Sequence, residues 1–340
     1  MGFLVSAAVT DTGELYCWGE GSKGQQGTGD TQDALVPHKL LSDIKTVSAG
    51  YDHMAAAAND GSLYTWGDNT QGQLGDGTTA AAYTPKKVLD NVKEVSCGHY
   101  FTAAVTADGD LYCWGCNDSG QLGDGTKFQR NTPKKIMSGI EHVSATSSAS
   151  CAAVGNDGTL YSFGANDFGQ LGFPPNGDVL SPKLLSGNVA DAAAGQYYSA
   201  FITTGGTLYT FGRNTFGQLG CGSTINQTEP TKIMSGAASV RAGFNHCAAV
   251  GKNGTMLIWG NNSAGCLGNG STADRLIPQP LSILSERLWG DVDNDGSVNI
   301  NDVTAIQQHI AELGSPDREG LLAGDVNGNG KTNIEDATEI

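Results

Sequence analysis

Leu15-Tyr16-Cys17-Trp18-Gly19 comes back as Leu63-Tyr64-Thr65-Trp66-Gly67 and again as Leu111-Tyr112-Cys113-Trp114-Gly115. The aromatic–glycine pair that ends it recurs at Phe163, Phe211 and Trp259, with spacings of 48, 48, 49, 48 and 48 residues. Other landmarks keep the same step. Prolines fall at 37, 85, 133, 182, 230 and 278. The loop Gly72-Gln73-Leu74-Gly75 recurs at 120, 169 and 217, and survives as Gly24-Gln25-Gln26-Gly27 and Gly265-Cys266-Leu267-Gly268. Ala49-Gly50-Tyr51-Asp52-His53 is matched by Ala242-Gly243-Phe244-Asn245-His246. Six copies at one period define a repeat architecture.

Each unit reads as four short strands. In the second unit the first strand is 44–48 and the next is 54–58. Asn59-Asp60-Gly61 follows as a hairpin turn, because two-residue hairpins need positive φ. The third strand is 63–66. A glycine-rich loop then leads to a proline-led strand near 86–89, where a missing donor suits a strand start or an edge. Thr102-Ala103-Ala104-Val105 and Cys247-Ala248-Ala249-Val250 are read as inner strands. Their small side chains let sheets converge at the crowded centre of a radial array. The fold expected is therefore an all-β propeller with six visible four-stranded blades.

The composition agrees. Glycine is abundant (49 residues) and charged content is low at 16%, a mixture unsuited to helical bundles. The net charge is −16, and residues 291–340 alone carry eleven acidic against two basic side chains. No basic surface is available for phosphate contacts, which argues against nucleic acid and anionic membranes as partners. No apolar run approaches a membrane span, so no membrane insertion is expected. Residues 2–9 lack the charged start and the length of a signal peptide, and the repeat assigns them to a strand. Cys113-Trp114-Gly115-Cys116 has redox spacing, but equivalent positions hold Thr65 and Asp68, so small sheet residues are the plainer reading.

These landmarks resemble the regulator of chromosome condensation family over residues 1–284. That family's pattern is A-G-x-x-H-[ST]-A-A-V, a turn, L-Y-x-W-G, then G-Q-L-G-x-G and a proline. The resemblance implies a β-propeller that in the family has seven blades. With six units and no opening strand in the first, two arrangements stay open: a six-bladed ring, or a seven-bladed one cut at the N-terminus with a blade and any secretion signal outside this sequence. The family's nuclear exchange-factor activity is not carried over. The units are too uniform to hold an inserted wedge, and the charge opposes chromatin.

After Leu284 the period stops. Asp291-Val-Asp293-Asn-Asp295-Gly296-Ser297-Val-Asn299-Ile-Asn-Asp302 puts oxygen-bearing residues at loop positions 1, 3, 5, 9 and 12, with glycine at 6. A hard cation needs such an oxygen cage, and the glycine permits its sharp turn. The loop repeats 34 residues later from Asp325 to Asp336. Val303, Ile306, Ile310 and Leu313 make one apolar helical face after the first loop. The second helix would start at Asp336, with four residues after it, which leads us to expect a cut C-terminus as well.

This duplicated loop–helix pattern over 285–340 resembles a type I dockerin, a small α-helical calcium-loop module. The resemblance implies two Ca2+ sites, held by Asp291, Asp293, Asp295, Ser297 (through its carbonyl) and Asp302, and by Asp325, Asn327, Asn329, Lys331 (through its carbonyl) and Asp336. It implies a cohesin domain of a scaffoldin as partner, contacted at Ile300, Asn301, Gln307, Gln308, Ile334 and Glu335; Ile300 and Ile334 could equally pack inside the module. It also implies an extracellular or cell-surface location in a bacterium, in a cellulosome or on a surface scaffold.

No catalytic set is found. His53, His99 and His246 sit in different units and read as structural, bonding neighbouring strands. No nucleophile elbow, phosphate loop or zinc-protease motif occurs. Tyr51, Phe168, Tyr197, Phe216 and Phe244 are candidate contacts on the propeller face for a protein or a carbohydrate. Two functions are therefore weighed: a secreted, non-enzymatic binding component anchored by its dockerin, and a carbohydrate-active enzyme or accessory subunit in polysaccharide degradation.

Overall fold

The computed structural model describes residues 4–281 of the chain. The chain divides into two units, Met1–Leu281 and Ser282–Ile340. Every calcium and cohesin residue named above lies outside the described residues.

The repeat folds as expected, one antiparallel sheet per unit. The first sheet has three strands, β1 (Val5–Val9), β2 (Leu15–Gly19) and β3 (Ala34–Leu41). The second has four, β4 (Ile44–Ala49), β5 (His53–Ala58), β6 (Leu63–Gly67) and β7 (Ala82–Leu89), hydrogen-bonded in that order. Four more four-stranded sheets follow over 92–137, 140–186, 189–235 and 237–280. The six sheets are blades one to six of a β-propeller.

Three local expectations are corrected. The alanine-rich strand is the second of each blade, not the innermost. The innermost strands, such as β4, line the axis, where the Ser48 hydroxyl accepts from the Cys97 amide and Ser96 from Ala145 (both 2.9 Å). The alanines lie between blade faces instead: Ala55, Ala56 and Ala57 have no exposed surface and pack into the clusters that join neighbouring sheets. The hairpin at Asn59-Asp60-Gly61 has one positive φ, at Gly61 (83°), and the Gly61 amide donates to Ala58. It is a three-residue loop with glycine at the left-handed position, not a two-residue turn. Finally, β7 begins at Ala82, so Pro85 lies inside the strand. Pairing passes from Thr65↔Lys86 to Gly67↔Ala82, and this bulge on an edge strand absorbs the missing donor.

Blades are joined in series. The described residues form five hydrophobic clusters, one at each junction of consecutive blades. Between blades one and two, Val5, Leu15 and Cys17 meet Met54, Ala56 and Trp66. The motif aromatic seals the joint: Trp66, Trp114 and Trp259 donate their indole N–H to the carbonyls of Gln25, Gln73 and Gln218 in the preceding blade, at 2.9, 3.0 and 2.9 Å. Gly75 shows why that loop is glycine-rich. Its φ is 75°, and a Cβ there would stand 2.6 Å from the Trp114 indole nitrogen.

Among the described residues the joint is not repeated between blades six and one. Gly265 and Gly270 meet nothing within 4 Å, whereas Gly72 and Gly217, equivalents of Gly265, press on Asn131 and Leu276 of the next blade. On the other side Leu35 is 91% exposed, while its equivalent Tyr83 packs over Gly24 of the preceding blade.

Candidate functional site: the loop face of the propeller

Two sets of loops emerge on one face: those between the first and second strands of each blade, and the starts of the long loops after the third. They are tied by a recurring bond, as in Asp68 N–H to Asp52 O (2.9 Å), Cys116 to Tyr100 (2.9 Å) and Arg213 to Tyr197 (2.8 Å). Beneath them a buried asparagine, absent from the sequence reading, holds the long loop in blades two to six. The Asn69 amide nitrogen donates to the carbonyls of Thr78 (3.2 Å) and Ala80 (3.0 Å), and its oxygen accepts from the Leu74 amide (2.9 Å). Asn117, Asn214 and Asn262 do the same. The W-G-x-N step at 66–69 and 114–117 carried that signal.

At the axis a cavity of about 500 Å3 is lined by the ends of the inner strands, Ala49, Cys97, Ala145, Ala194 and Ala242, by the glycines after them, and by Tyr51, Ser147, Phe244 and His246. Its lining carries no carboxylate. The Cys97 thiol is pushed up to about 12, chiefly by burial, so it stays protonated and unreactive at neutral pH.

The three histidines divide. Thr102 Oγ1 donates to the Gln73 carbonyl (2.8 Å), so His53 Nε2–H donates to that oxygen (2.9 Å), and this bond links blades two and three. Burial lowers His53 to about 4, and its Nδ1 has no partner. Only His53 makes the expected side-chain bond between blades among the described residues. His99 occupies the Tyr51 position of its repeat, not the His53 position, and stacks on Tyr100 at 4.0 Å. Tyr51 sits edge-on to His99 at 4.4 Å. The His246 ring lies over Gly243, and burial lowers its pKa.

The five aromatic candidates form two groups. Tyr51 joins His99 and Tyr100, and with Phe244 lines the cavity. Phe168, Tyr197 and Phe216 gather around Arg213, a residue the sequence reading passed over. Its guanidinium carbon stands 5.6, 5.9 and 5.9 Å from the three ring centres. Phe168 and Tyr197 are 5.1 Å apart with their planes at 61°. In blades one and two the same face is acidic: the Asp52 carboxyl is raised by burial and then by the like charges of Asp68 and Glu20. All eight cysteines are free thiols, with Cys113 buried and Cys116 half-buried at the loop.

Comparisons with known proteins agree with this geometry. A family model described as RCC1-like domain matches residues 1–311, and one described as dockerin type I domain matches 289–340, the two overlapping over 289–311. Human WBSCR16 superposes with a TM-score of 0.74 at 23% identity, covering 83% of this chain and 80% of that one. Yeast RCC1 (Prp20), solved bound to Kap60, gives 0.74 at 22% identity over 85% of this chain and 75% of that one. At these identities the likeness is one of fold. The ultraviolet-B receptor UVR8 of Arabidopsis thaliana is 48% identical over 52 residues, 14% of this chain and 12% of that receptor's length. A type I dockerin is a calcium-binding module, and its match implies a cohesin partner. With its blades, joints and repeat landmarks all accounted for, the chain belongs to the RCC1-like domain family.

Proposed function

We propose that this protein is an extracellular, calcium-dependent adaptor. Its dockerin, taken as residues 285–340, mounts it on a cohesin-bearing scaffold, and its propeller, taken as residues 1–284, holds a partner protein on the loop face. The observation that carries the reading is the pairing of two oxygen-rich loops of one pattern, Asp291–Asp302 and Asp325–Asp336, within the dockerin type I match at 289–340. In each loop the carboxylates and amides at positions 1, 3, 5 and 12 would hold Ca2+, with the carbonyl of Ser297 or Lys331. Bound calcium would order the module for cohesin; Ile300, Asn301, Gln307, Gln308, Ile334 and Glu335 are the contacts proposed.

Binding rather than catalysis is favoured for the propeller. Glycoside hydrolysis needs two facing carboxyl groups, and the central cavity is lined by small and aromatic side chains. A protein partner is favoured over a sugar by the ring geometry. A pyranose stacks on a flat aromatic platform, whereas Phe168 and Tyr197 stand at 61° to one another around a cation. Arginine and aromatic side chains are the residues that concentrate energy at protein interfaces.

Calorimetry of the full chain with Ca2+ tests the anchoring half, with Asp291→Ala/Asp325→Ala as control. Two sites lost in the control, and cohesin capture lost on chelation, are expected. Cohesin capture unaffected by chelation would sink the reading.

A further inference from the structure

Repeats supply their own control. Positions that the fold needs are the same in every blade, so a residue that departs from its five counterparts is there for another reason. Arg213 corresponds to Glu20, Asp68, Cys116, Ala165 and Asn261. Tyr197 corresponds to Leu4, Asp52, Tyr100, Ala149 and Asn245. Phe168 and Phe216 correspond to Lys23, Gln71, Ser119 and Ala264. No common side chain is required at these places. Nonetheless three rings and one cation converge at the junction of blades four and five.

The cluster is arranged around the guanidinium. Phe168 and Phe216 are set by the same device, a backbone N–H donated to the Oε1 of Gln170 and of Gln218 (both 2.9 Å). Tyr197 takes φ of 60°, a conformation bulky side chains rarely adopt; its counterpart in blade four, Ala149, shares it (57°), whereas Asp52, Tyr100 and Asn245 do not. Arg213 Nε donates to Thr215 Oγ1 (3.0 Å). Its two terminal nitrogens have no protein acceptor among the described residues. The three rings flank the cation at cation–π range and offer its N–H groups no acceptor atom. A planar fork of N–H groups without a protein acceptor, set beside three rings, suits a carboxylate carried next to apolar surface.

We infer that Arg213, collared by Phe168, Tyr197 and Phe216, is the anchor point for an Asp or Glu side chain of an acidic segment of a partner protein. The inference rests on the loop face being a protein-binding surface. Charge supports it: the chain is strongly acidic, with Glu20, Asp52 and Asp68 clustered on the same face in blades one and two. An acidic partner segment is thus drawn to the Arg213 sector and repelled from the other, which fixes its orientation. A peptide also supplies the apolar neighbour that the collar needs.

The test is selection of displayed random dodecapeptides on the full-length chain, followed by affinity measurement of the selected peptides. Expected winners carry Asp or Glu beside an aromatic or aliphatic residue. Their affinity falls about thirtyfold in Arg213→Gln. It falls nearly as far in Arg213→Lys, which keeps the charge and loses the fork, and is unchanged in Lys252→Gln on the opposite turns. Because Arg213→Lys preserves charge and stem, unchanged melting in that variant separates lost binding from lost folding. Winners without acidic enrichment, or indifferent to both Arg213 variants while displaced by Tyr51→Ala, overturn the anchor and leave the protein-binding face standing. No winners, with binding of oligogalacturonate instead, overturns both.

Discussion

Trp66→Phe and Trp114→Phe remove the same indole from equivalent joints, yet they should not cost the same. Both delete part of a fully buried ring and one N–H···O bond, of 2.9 Å to Gln25 and 3.0 Å to Gln73. Phe163 and Phe211 fill this position in blades four and five, so the shape change is tolerated and the shared loss is about 1–2 kcal/mol. The carbonyls left behind differ. Gln73 O keeps the Thr102 hydroxyl at 2.8 Å, whereas the residue equivalent to Thr102 in blade two is Met54, which has no donor to offer Gln25. An orphaned buried acceptor adds ~1–3 kcal/mol. Trp66→Phe should therefore be the more damaging by about 1–2 kcal/mol. Urea titrations followed by far-UV circular dichroism, at equal slope, read the difference as a shift in midpoint. Thr102→Val supplies the cycle: in that background Trp114→Phe should cost ~1 kcal/mol more than in the wild type. Equal losses at the two joints, with no coupling to Thr102, would refute the account of the carbonyl.

Other outcomes follow from the same structure. Burial holds His53 neutral, its pKa lowered from 6.5 to about 4. The folded state thus binds fewer protons than the unfolded one between these values. His53's contribution is complete above pH 6.5 and shrinks as pH falls, by ~3 kcal/mol at pH 4. Wild-type stability should drop more steeply over this window than that of His53→Gln, which a pH series of urea midpoints would check. Gly75→Ala meets both a left-handed φ and Trp114, and should lose several times more stability than Gly265→Ala, which at φ 72° meets only the backbone penalty of about 1–2 kcal/mol; similar melting temperatures would contradict the uncovered face of blade six. Thiol labelling of the native chain should modify Cys266 first, since it alone of the eight is exposed, and spare Cys17, Cys113 and Cys247 until urea is added.

The period of 48 residues carried the blade count, the strand order and the aromatic joints, because a repeat writes each structural demand six times. What it could not carry is anything written once. Arg213 has no counterpart, and its meeting with Phe168 depends on blades four and five being neighbours in space. His99 looked like His53 because both follow a glycine in the same tract, but one is two positions nearer that glycine and its ring stays on the face. The start of β7 at Ala82 was hidden by Pro85, which reads as a boundary until a bulge absorbs it. Alanine was assigned to the wrong crowding: sheet faces press harder on it than the axis does.

The serial joints bear on how the molecule comes apart. Every joint links residues about one period apart along the chain, and the described residues show no such joint between blade six and blade one. Stability then adds along a line, as in a stack of repeats, and opening starts at the outer units. Amide exchange should be fastest in the uncovered strands of blade six and blade one and slowest in blades three and four. The Arg213 collar spans blades four and five, so a partner clamped there would staple the joint that opening from the blade-six end must cross next. Occupancy of the face would in this way be felt as slower fraying of blade six, the blade that precedes the dockerin match in sequence.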